Sequence, residues 1–467
     1  MARPVGIALA FALLLGCAGD GDDRTPLGDG GAPDGGTVEP ERAWLRDEGG
    51  GVLILRGTNV AGESKWAPDF LPPYDRADLQ RLVDELGLNA IRLLVFWEAI
   101  EPAPGSYDDA YLAAIRALVE DAEAVGLHVL IDMHQDVFGR GFGSAGAPLW
   151  ACDQALYDSF TPPEEWFYGY FEPEVMECFD RFWGEGSTRD AFAGAWTRLA
   201  EELSGAAGVI AYELLNEPSW GSTTPQDFDR RIAPDVYGAL VDAIRAVDAA
   251  PHVAIEPASS ANAGLASALV PPDRERLIYA PHFYPPALEL GVGYDGDASR
   301  LGAQARRIVL DAARMGLPAF VGEVGARRDV PGARAFLEDA YAAFDGEMLG
   351  AFQWDLGRGG EGSYGLWDEA DRPAAQAEAI ARPHPARVAG IPVGWRWDAT
   401  TRVFTASWME DGSATGDSVF TAPSLAFPDG VEATLADGGE ARVAGPSVVV
   451  PQVGGVREIT IRAAGGG

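Results

Sequence analysis

Basic residues are scarce in this 467-residue chain: 35 Lys and Arg stand against 71 Asp and Glu, a formal charge of −36 at pH 7. A surface of that sign repels phosphate backbones and anionic lipid headgroups, which excludes nucleic acid as a partner. Cysteine is scarcer still, with 3 in the chain, too few for a scaffold built from disulfides. Long apolar runs are lacking too. Residues 5–15 form an apolar stretch behind Arg3, too short to span a bilayer but of the length and polarity of an export signal. The acidic excess spells out no calcium loop, no metal-ligand spacing stands out, and no cofactor is implied. What remains is a chain that is 47% hydrophobic and long enough to bury a large core.

The run Leu14-Leu-Gly-Cys17 resembles a bacterial lipobox, which predicts a signal peptide over residues 1–16 and a lipid on Cys17. The alternative is a plain secretory signal with an incidental cysteine. Residues 17–42 are rich in Gly, Asp and Pro and read as a flexible tether. The protein is therefore expected to be exported, as a bacterial cell-envelope lipoprotein or secreted, with membrane anchoring only through the lipidated terminus. Cys152 and Cys178 are left as a pair that an oxidising compartment would join, two free buried thiols being the other reading.

From residue 52 to about 356, strand-like apolar runs alternate with amphipathic stretches. Leu79, Leu82, Val83 and Leu86 follow the i, i+3, i+4, i+7 spacing of one helix face, as do Leu112, Ile115, Leu118, Val119 and Ala122. Eight strands are predicted, at 52–57, 89–96, 127–133, 209–215, 252–255, 277–280, 319–321 and 349–354, and that alternation reads as an α/β chain folded into a (β/α)8 TIM barrel over residues 43–384. After 385 the helical period stops. Short β-prone pieces separated by turns predict a C-terminal β-sandwich over residues 385–467.

In a barrel of this kind the chemistry gathers where strands end. Those ends carry Asn59, Arg92, His134 with Asp136, Asn216 with Glu217, Glu256, His282 with Tyr284, Glu323 and Trp354. Glu217 and Glu323 each close a buried run, after the fourth and seventh strands, so one mouth presents two carboxylates. Glycoside hydrolysis needs that pair: one carboxylic acid protonates the leaving oxygen while the other attacks or activates water. Gly141-Phe-Gly-Ser-Ala-Gly146 matches the dinucleotide fingerprint in letters alone, since no strand directly precedes it and Pro148 follows.

The chain resembles glycoside hydrolase family 5, and within it the endoglycoceramidases. Leu55-Arg-Gly-Thr-Asn59, Leu215-Asn-Glu-Pro218, His282-Phe-Tyr284 and Gly322-Glu-Val-Gly325 carry the broader likeness. Asp132-Met-His-Gln-Asp136 and Pro383-His-Pro-Ala-Arg-Val-Ala-Gly390 carry the narrower one. The resemblance implies a retaining enzyme with Glu217 as acid/base and Glu323 as nucleophile, oriented by Arg92 and Tyr284 with His282 in support. His134, Asp136, Asn216, Lys65 and Trp354 are assigned to the sugar, Trp354 as a stacking floor; a solvated Lys65 is the plainer reading. Glu256 is assigned a structural role behind the site. A zinc centre of His134, Asp136 and His282 lacks further ligands.

Residues 137–185 hold a run of aromatics far denser than the chain-wide 10%. Such a segment can build an apolar groove beside the sugar, suited to a lipid aglycone, or pack on itself as a cap. The expected substrate is a glycosphingolipid, cut between oligosaccharide and ceramide. The alternatives are a family 5 β-glucanase, β-mannanase or β-glucosidase acting on other β-glycosides, and a non-catalytic carbohydrate-binding surface lipoprotein.

Overall fold

The computed structural model describes residues 42–465 except 61, 185 and 361; the signal peptide, Cys17 and nearly all of the tether expected from the sequence lie outside the described residues. Among the described residues, nine strands precede the C-terminal region: β1 Val52–Leu53, β2 Arg56–Val60, β3 Ala90–Val95, β4 His128–Met133, β5 Val209–Glu213, β6 His252–Ile255, β7 Leu277–Tyr279, β8 Phe320–Val324 and β9 Gly350–Leu356. Strands β2 to β9 form one 8-stranded sheet, parallel throughout. Bridges Tyr279↔Ala319 and Phe283↔Val324 link β7 to β8 and close it. This is the TIM barrel.

Period-two alternation positions the site. Ala90, Leu130, Ala211, Ala254, Ile278, Phe320 and Phe352 form one buried apolar cluster. Because side chains two apart share a face, the residues two further along, Arg92, Asp132, Glu213 and Glu256, stand on the same interior face. These four are 0 to 1% exposed. The barrel thus has an apolar floor with a charged layer above it. In β8 the register shifts between Val321 and Val324, and Glu323 lies buried beside the same layer.

The first predicted strand needs correction. The run at 52–57 is divided: β1 leaves the barrel and pairs antiparallel with Pro385–Val388 (β10), Val52 opposite Val388, and the barrel strand begins at Arg56. The C-terminal sandwich is therefore built partly from the front of the chain. Its five-stranded sheet holds β1, β10, Ser418–Thr421, Ser447–Val450 and Arg442–Ala444; the four-stranded sheet holds Ile391–Asp398, Val403–Glu410, Gly455–Ala463 and Val431–Leu435. Val52, Trp395, Phe404, Trp408, Phe420 and Ile461 fill the space between them.

Residues 137–184 fold as short helical turns, the helix Gln154–Ser159 and the helix Pro173–Trp183. Cys152 and Cys178 are joined as a disulfide with a sequence separation of 26. Loop closure of that length stabilises the fold by about 3.5 kcal/mol in the chain-entropy account. Phe138, Phe142, Phe179, Phe182 and Trp183 are all buried, so much of the aromatic run packs on itself. Trp166 and Phe171 are left 53% and 42% exposed.

Candidate active site

Arg92, on β3, organises the mouth from below. Its guanidinium donates to Glu213 at 3.1 and 2.7 Å, to Asn59 Oδ1 at 2.8 Å, to Asn216 Oδ1 at 2.9 Å and to Glu323 Oε1 at 2.6 Å. Asp132 Oδ2 lies 3.0 Å away. Burial opposes this charge, but Asp132, Glu213 and Glu323 outweigh it and hold the guanidinium protonated. The other oxygen of Glu323 accepts the Tyr284 hydroxyl at 2.9 Å. One donor on each oxygen fixes the carboxylate plane. Burial lifts the Glu323 carboxyl above the ordinary range, with His282 and Arg92 pulling against it.

Glu217 follows β5 and has φ of +43°, a left-handed conformation that costs a non-glycine residue about 1–3 kcal/mol. Its surroundings over-determine it: the N–H donates to Glu256 Oε1 at 3.1 Å and the carbonyl accepts from Gln135 Nε2 at 3.2 Å. The side chain then turns into the mouth, where Oε1 meets Asn262 Nδ2 at 2.9 Å and His282 Nδ1 at 2.8 Å. Burial, followed by the nearby Asp136, pushes its carboxyl up to about 7, so it is available as an acid near neutrality. One oxygen each of Glu217 and Glu323 lie within 4.8 Å of one another. Retaining glycosidases hold their two carboxyl groups about 5 Å apart, and this close approach fits that arrangement.

The expected sugar contacts line the wall between these groups. Trp354 stacks parallel to His134, ring centroids 5.7 Å apart, and Lys65 Nζ lies 4.4 Å over the Trp354 ring. Lys65 is the only lysine in the chain and pairs with Asp136 Oδ2 at 2.7 Å, so the solvated reading does not hold. That pairing, with His134, keeps the Asp136 carboxyl well below its ordinary range against the pull of burial. His134 Nδ1 is 2.7 Å from Asp132; burial and Lys65 oppose its imidazolium, but Asp132 and Asp136 raise it above the usual histidine range. Asn216 is more committed than expected, because its amide N–H donates to the Gln135 carbonyl at 3.0 Å while its oxygen holds Arg92. One amide hydrogen remains for a sugar.

Sequence reasoning missed three groups here. Glu213 stands inside the Tyr212-Glu-Leu-Leu-Asn-Glu motif, and a carboxylate within a strand buried on both faces was the signal that it must meet a cation. Asp132 offered the same signal at the end of β4. Asn262 offered none, lying in the short helical turn Ser259–Ala263 after β6. For a metal, Glu213, Glu256 and His282 and, separately, Glu217, His282 and Glu323 each bring three ligand atoms within 4.8 Å; His134 and Asp136 belong to neither set. In the second set Arg92 and Tyr284 already occupy Glu323 and Asn262 occupies Glu217. The glycine-rich stretch is a turn, Arg140–Phe142, followed by loop.

Residues 47–359 match the family described as Cellulase (glycosyl hydrolase family 5), and residues 382–457 match the Glycoside hydrolase family 5 C-terminal domain. The chain is 28% identical over 462 residues to Endoglycoceramidase I of Rhodococcus hoagii, covering 92% of this chain and 87% of that protein. It superposes on the ganglioside GM3 complex of endo-glycoceramidase II from a Rhodococcus species with a TM-score of 0.83 at 29% identity, covering 91% of this chain and 100% of that one. The lactosyl-enzyme intermediate of the same enzyme gives 0.81 at 29% identity, over 90% and 100%. Two catalytic-type carboxylates at retaining separation, on a barrel and sandwich matched along nearly all their length, leave one assignment: the chain belongs to glycoside hydrolase family 5 and is a retaining glycoside hydrolase.

Proposed function

We propose that the protein hydrolyses the β-linkage between an oligosaccharide and ceramide, with Glu217 as acid/base and Glu323 as nucleophile. The observation that carries the roles is the contrast in hydrogen bonding. Glu323 takes a donor on each oxygen, which suits an anion. Glu217 is pushed up to about 7, and its contacts are all to Oε1. In the first step Glu323 attacks the anomeric carbon as Glu217 passes its proton to the glycosidic oxygen, and the ceramide alcohol leaves. In the second, Glu217 takes a proton from water, the water oxygen attacks the same carbon, and Glu323 departs. Two inversions give retention.

The aglycone is supported by the relatives, whose names and bound ganglioside point to ceramide-linked glycans, and by Trp166 and Phe171 left exposed on the insertion next to the mouth. Purified protein offered a glycosphingolipid panel and a β-glucan and β-mannan panel should release free oligosaccharide from the first. Cleavage of the polysaccharides alone would give the glucanase reading instead. Glu217→Gln and Glu323→Gln should each lower turnover by about 10³-fold or more while the protein stays folded. Azide should rescue a small-residue variant of Glu217 on an activated substrate, and give the inverted product with a small-residue variant of Glu323.

We infer export from the apolar residues 5–15 and the Leu14-Leu-Gly-Cys17 run, with Cys17 as the lipid-bearing first residue of the mature chain. Mass spectrometry of the native amino terminus tests this; an unmodified terminus elsewhere means ordinary secretion.

A further inference from the structure

The two-carboxylate mechanism makes no use of Glu213 and Glu256, two buried acids on adjacent strands behind Glu217. Glu256 is 1% exposed and Glu213 0%. Arg92 grips Glu213 with two hydrogen bonds, at 3.1 and 2.7 Å, but lies 3.8 Å from Glu256. One oxygen each of Glu213 and Glu256 lies within 4.8 Å of the other and of a His282 nitrogen, and two buried anions at that range repel, so one of them must be neutral. Burial works against both anions. Arg92 overrides it at Glu213, whereas Glu256, beside the negative Glu213, is driven well above the carboxylate range. The proton therefore belongs to Glu256.

This fixes the roles of the remaining atoms. Glu256 Oε2, which has no hydrogen-bond partner among the described residues, is the oxygen left to carry that proton. Glu256 Oε1 is then an acceptor, and it faces two nitrogens: the Glu217 backbone N–H at 3.1 Å and His282 Nε2 at 3.4 Å. His282 Nε2 is fully buried and makes no hydrogen bond among the described residues; Glu256 Oε1, 3.4 Å away, is close enough to accept from a proton on that nitrogen after a small adjustment. A neutral imidazole carries one proton, and burial pushes His282 down to about 4. Placing that proton on Nε2 leaves Nδ1 bare, 2.8 Å from Glu217 Oε1. A lone pair at that distance repels a carboxylate and accepts from a carboxylic acid.

We propose that Glu256 is a positioning residue: as the neutral partner of Glu213 it holds His282 as the Nε2–H tautomer, and the bare Nδ1 of that ring keeps Glu217 in its acid form. The proposal rests on Glu217 being the acid/base. It adds that acidity is set from behind, through a chain from Arg92 by way of Glu213, Glu256 and His282. A divalent cation held by Glu213, Glu256 and His282 is the competing use of these atoms, and the guanidinium 3.8 Å from Glu256 disfavours it.

The test uses leaving-group dependence and a spectroscopic signature. Glutamine reproduces the donor and acceptor pattern of a neutral glutamic acid, so Glu256→Gln should keep nearly full activity on every substrate. Glu256→Met removes the acceptor. It should lower kcat on an alkyl glycoside, whose leaving group needs protonation, by about 100-fold, and leave an activated aryl glycoside with a good leaving group nearly unchanged. With 5 histidines in the chain, 15N spectra of histidine-labelled protein should show His282 protonated at Nε2 in the parent and in Glu256→Gln. Three results would overturn the proposal: an Nδ1–H tautomer in the parent, Glu256→Gln as damaged as Glu256→Met, or activity lost on chelation. Glu217→Gln measured beside them separates the two readings, since full activity in that variant on the alkyl glycoside removes the acid/base assignment itself.

Discussion

Glu217 has to be an acid at the pH where the enzyme works, and its neighbours decide where that pH ends. Burial and Asp136 push its carboxyl up to about 7, so kcat/KM should fall along an alkaline limb near pH 7 as the acid is lost. Asp136→Asn removes the negative neighbour and frees Lys65, which lies 2.7 Å from Asp136. Both changes favour the Glu217 anion, so the limb should move to lower pH, read from the rate profile whatever happens to its height. An unmoved limb would mean that another group titrates. The same shift bears on stability. A carboxyl raised above its unfolded value of about 4.3 contributes stability that is complete below that value and is lost as pH rises through about 7. The gap in melting temperature between Glu217→Gln and the parent should therefore widen in favour of the variant from pH 4 to pH 8. Glu217, Glu323, Arg92 and Tyr284 were legible as candidates because each lies within a predicted strand or a few residues past its end, though Arg92 stands inside β3 rather than at its end. Glu213 was overlooked although it is part of the same motif. The partner of Lys65 was not readable, since Asp136 arrives from a different strand end.

At the scale of elements, the insertion at residues 137–185 is where the substrate reading stands or falls. Its buried aromatics make the cap, and the helix Pro173–Trp183 is held to the preceding segment by the Cys152–Cys178 disulfide. Tyr170 of the turn Trp166–Phe171 reaches Gln135 at 3.2 Å, and Gln135 in turn contacts the Glu217 carbonyl, so the exposed ring of Trp166 is tied to the site through a few bonds. If that surface takes the sphingoid chain, a glycan on ceramide should be cleaved far faster than the same glycan on a short alcohol. Each buried methylene contributes up to about 0.8 kcal/mol, and four or five amount to a few hundredfold. Trp166→Ala with Phe167→Ala should erase the preference and spare the short-chain substrate, detergent being held constant. Equal efficiency on both aglycones in the parent would move the assignment to a glycan-only hydrolase. The two helices read from their spacing, Arg76–Asp84 (with Leu86 just past its end) and Asp109–Ala124, and seven of the strands lie close to where their periodicities put them. The first strand does not, because an apolar run shows burial but not which sheet buries it, and the partner of β1 lies at the other end of the chain.

Across the whole molecule, barrel and sandwich share a buried ionic knot. Asp345, at the end of the helix Ala333–Gly346, accepts from Arg56 of β2 at 2.9 Å, from Arg382 at 2.6 Å and from the Trp395 indole of the sandwich at 3.0 Å. The Asp345 and Arg56 side chains are 6% and 4% exposed. Removing one partner of such a pair strands the other charge in a dry interior, at a cost of about 3–5 kcal/mol. Asp345→Leu should therefore lower the melting temperature of the entire protein rather than loosen the sandwich alone. Strand β1 argues the same way: it is the start of the chain that completes the five-stranded sheet, so neither part is a finished unit. A chain ending at residue 384 would leave Val52 and Ile54, buried against the sandwich core, facing water beside an unpaired strand edge, and should be recovered insoluble. Calorimetry of the intact protein should show one transition, with Asp345→Leu shifting it as a whole. Two separated transitions, the upper one keeping glycosidase activity after the sandwich has melted, would show that the barrel stands by itself and that the knot only fastens a spare domain to it.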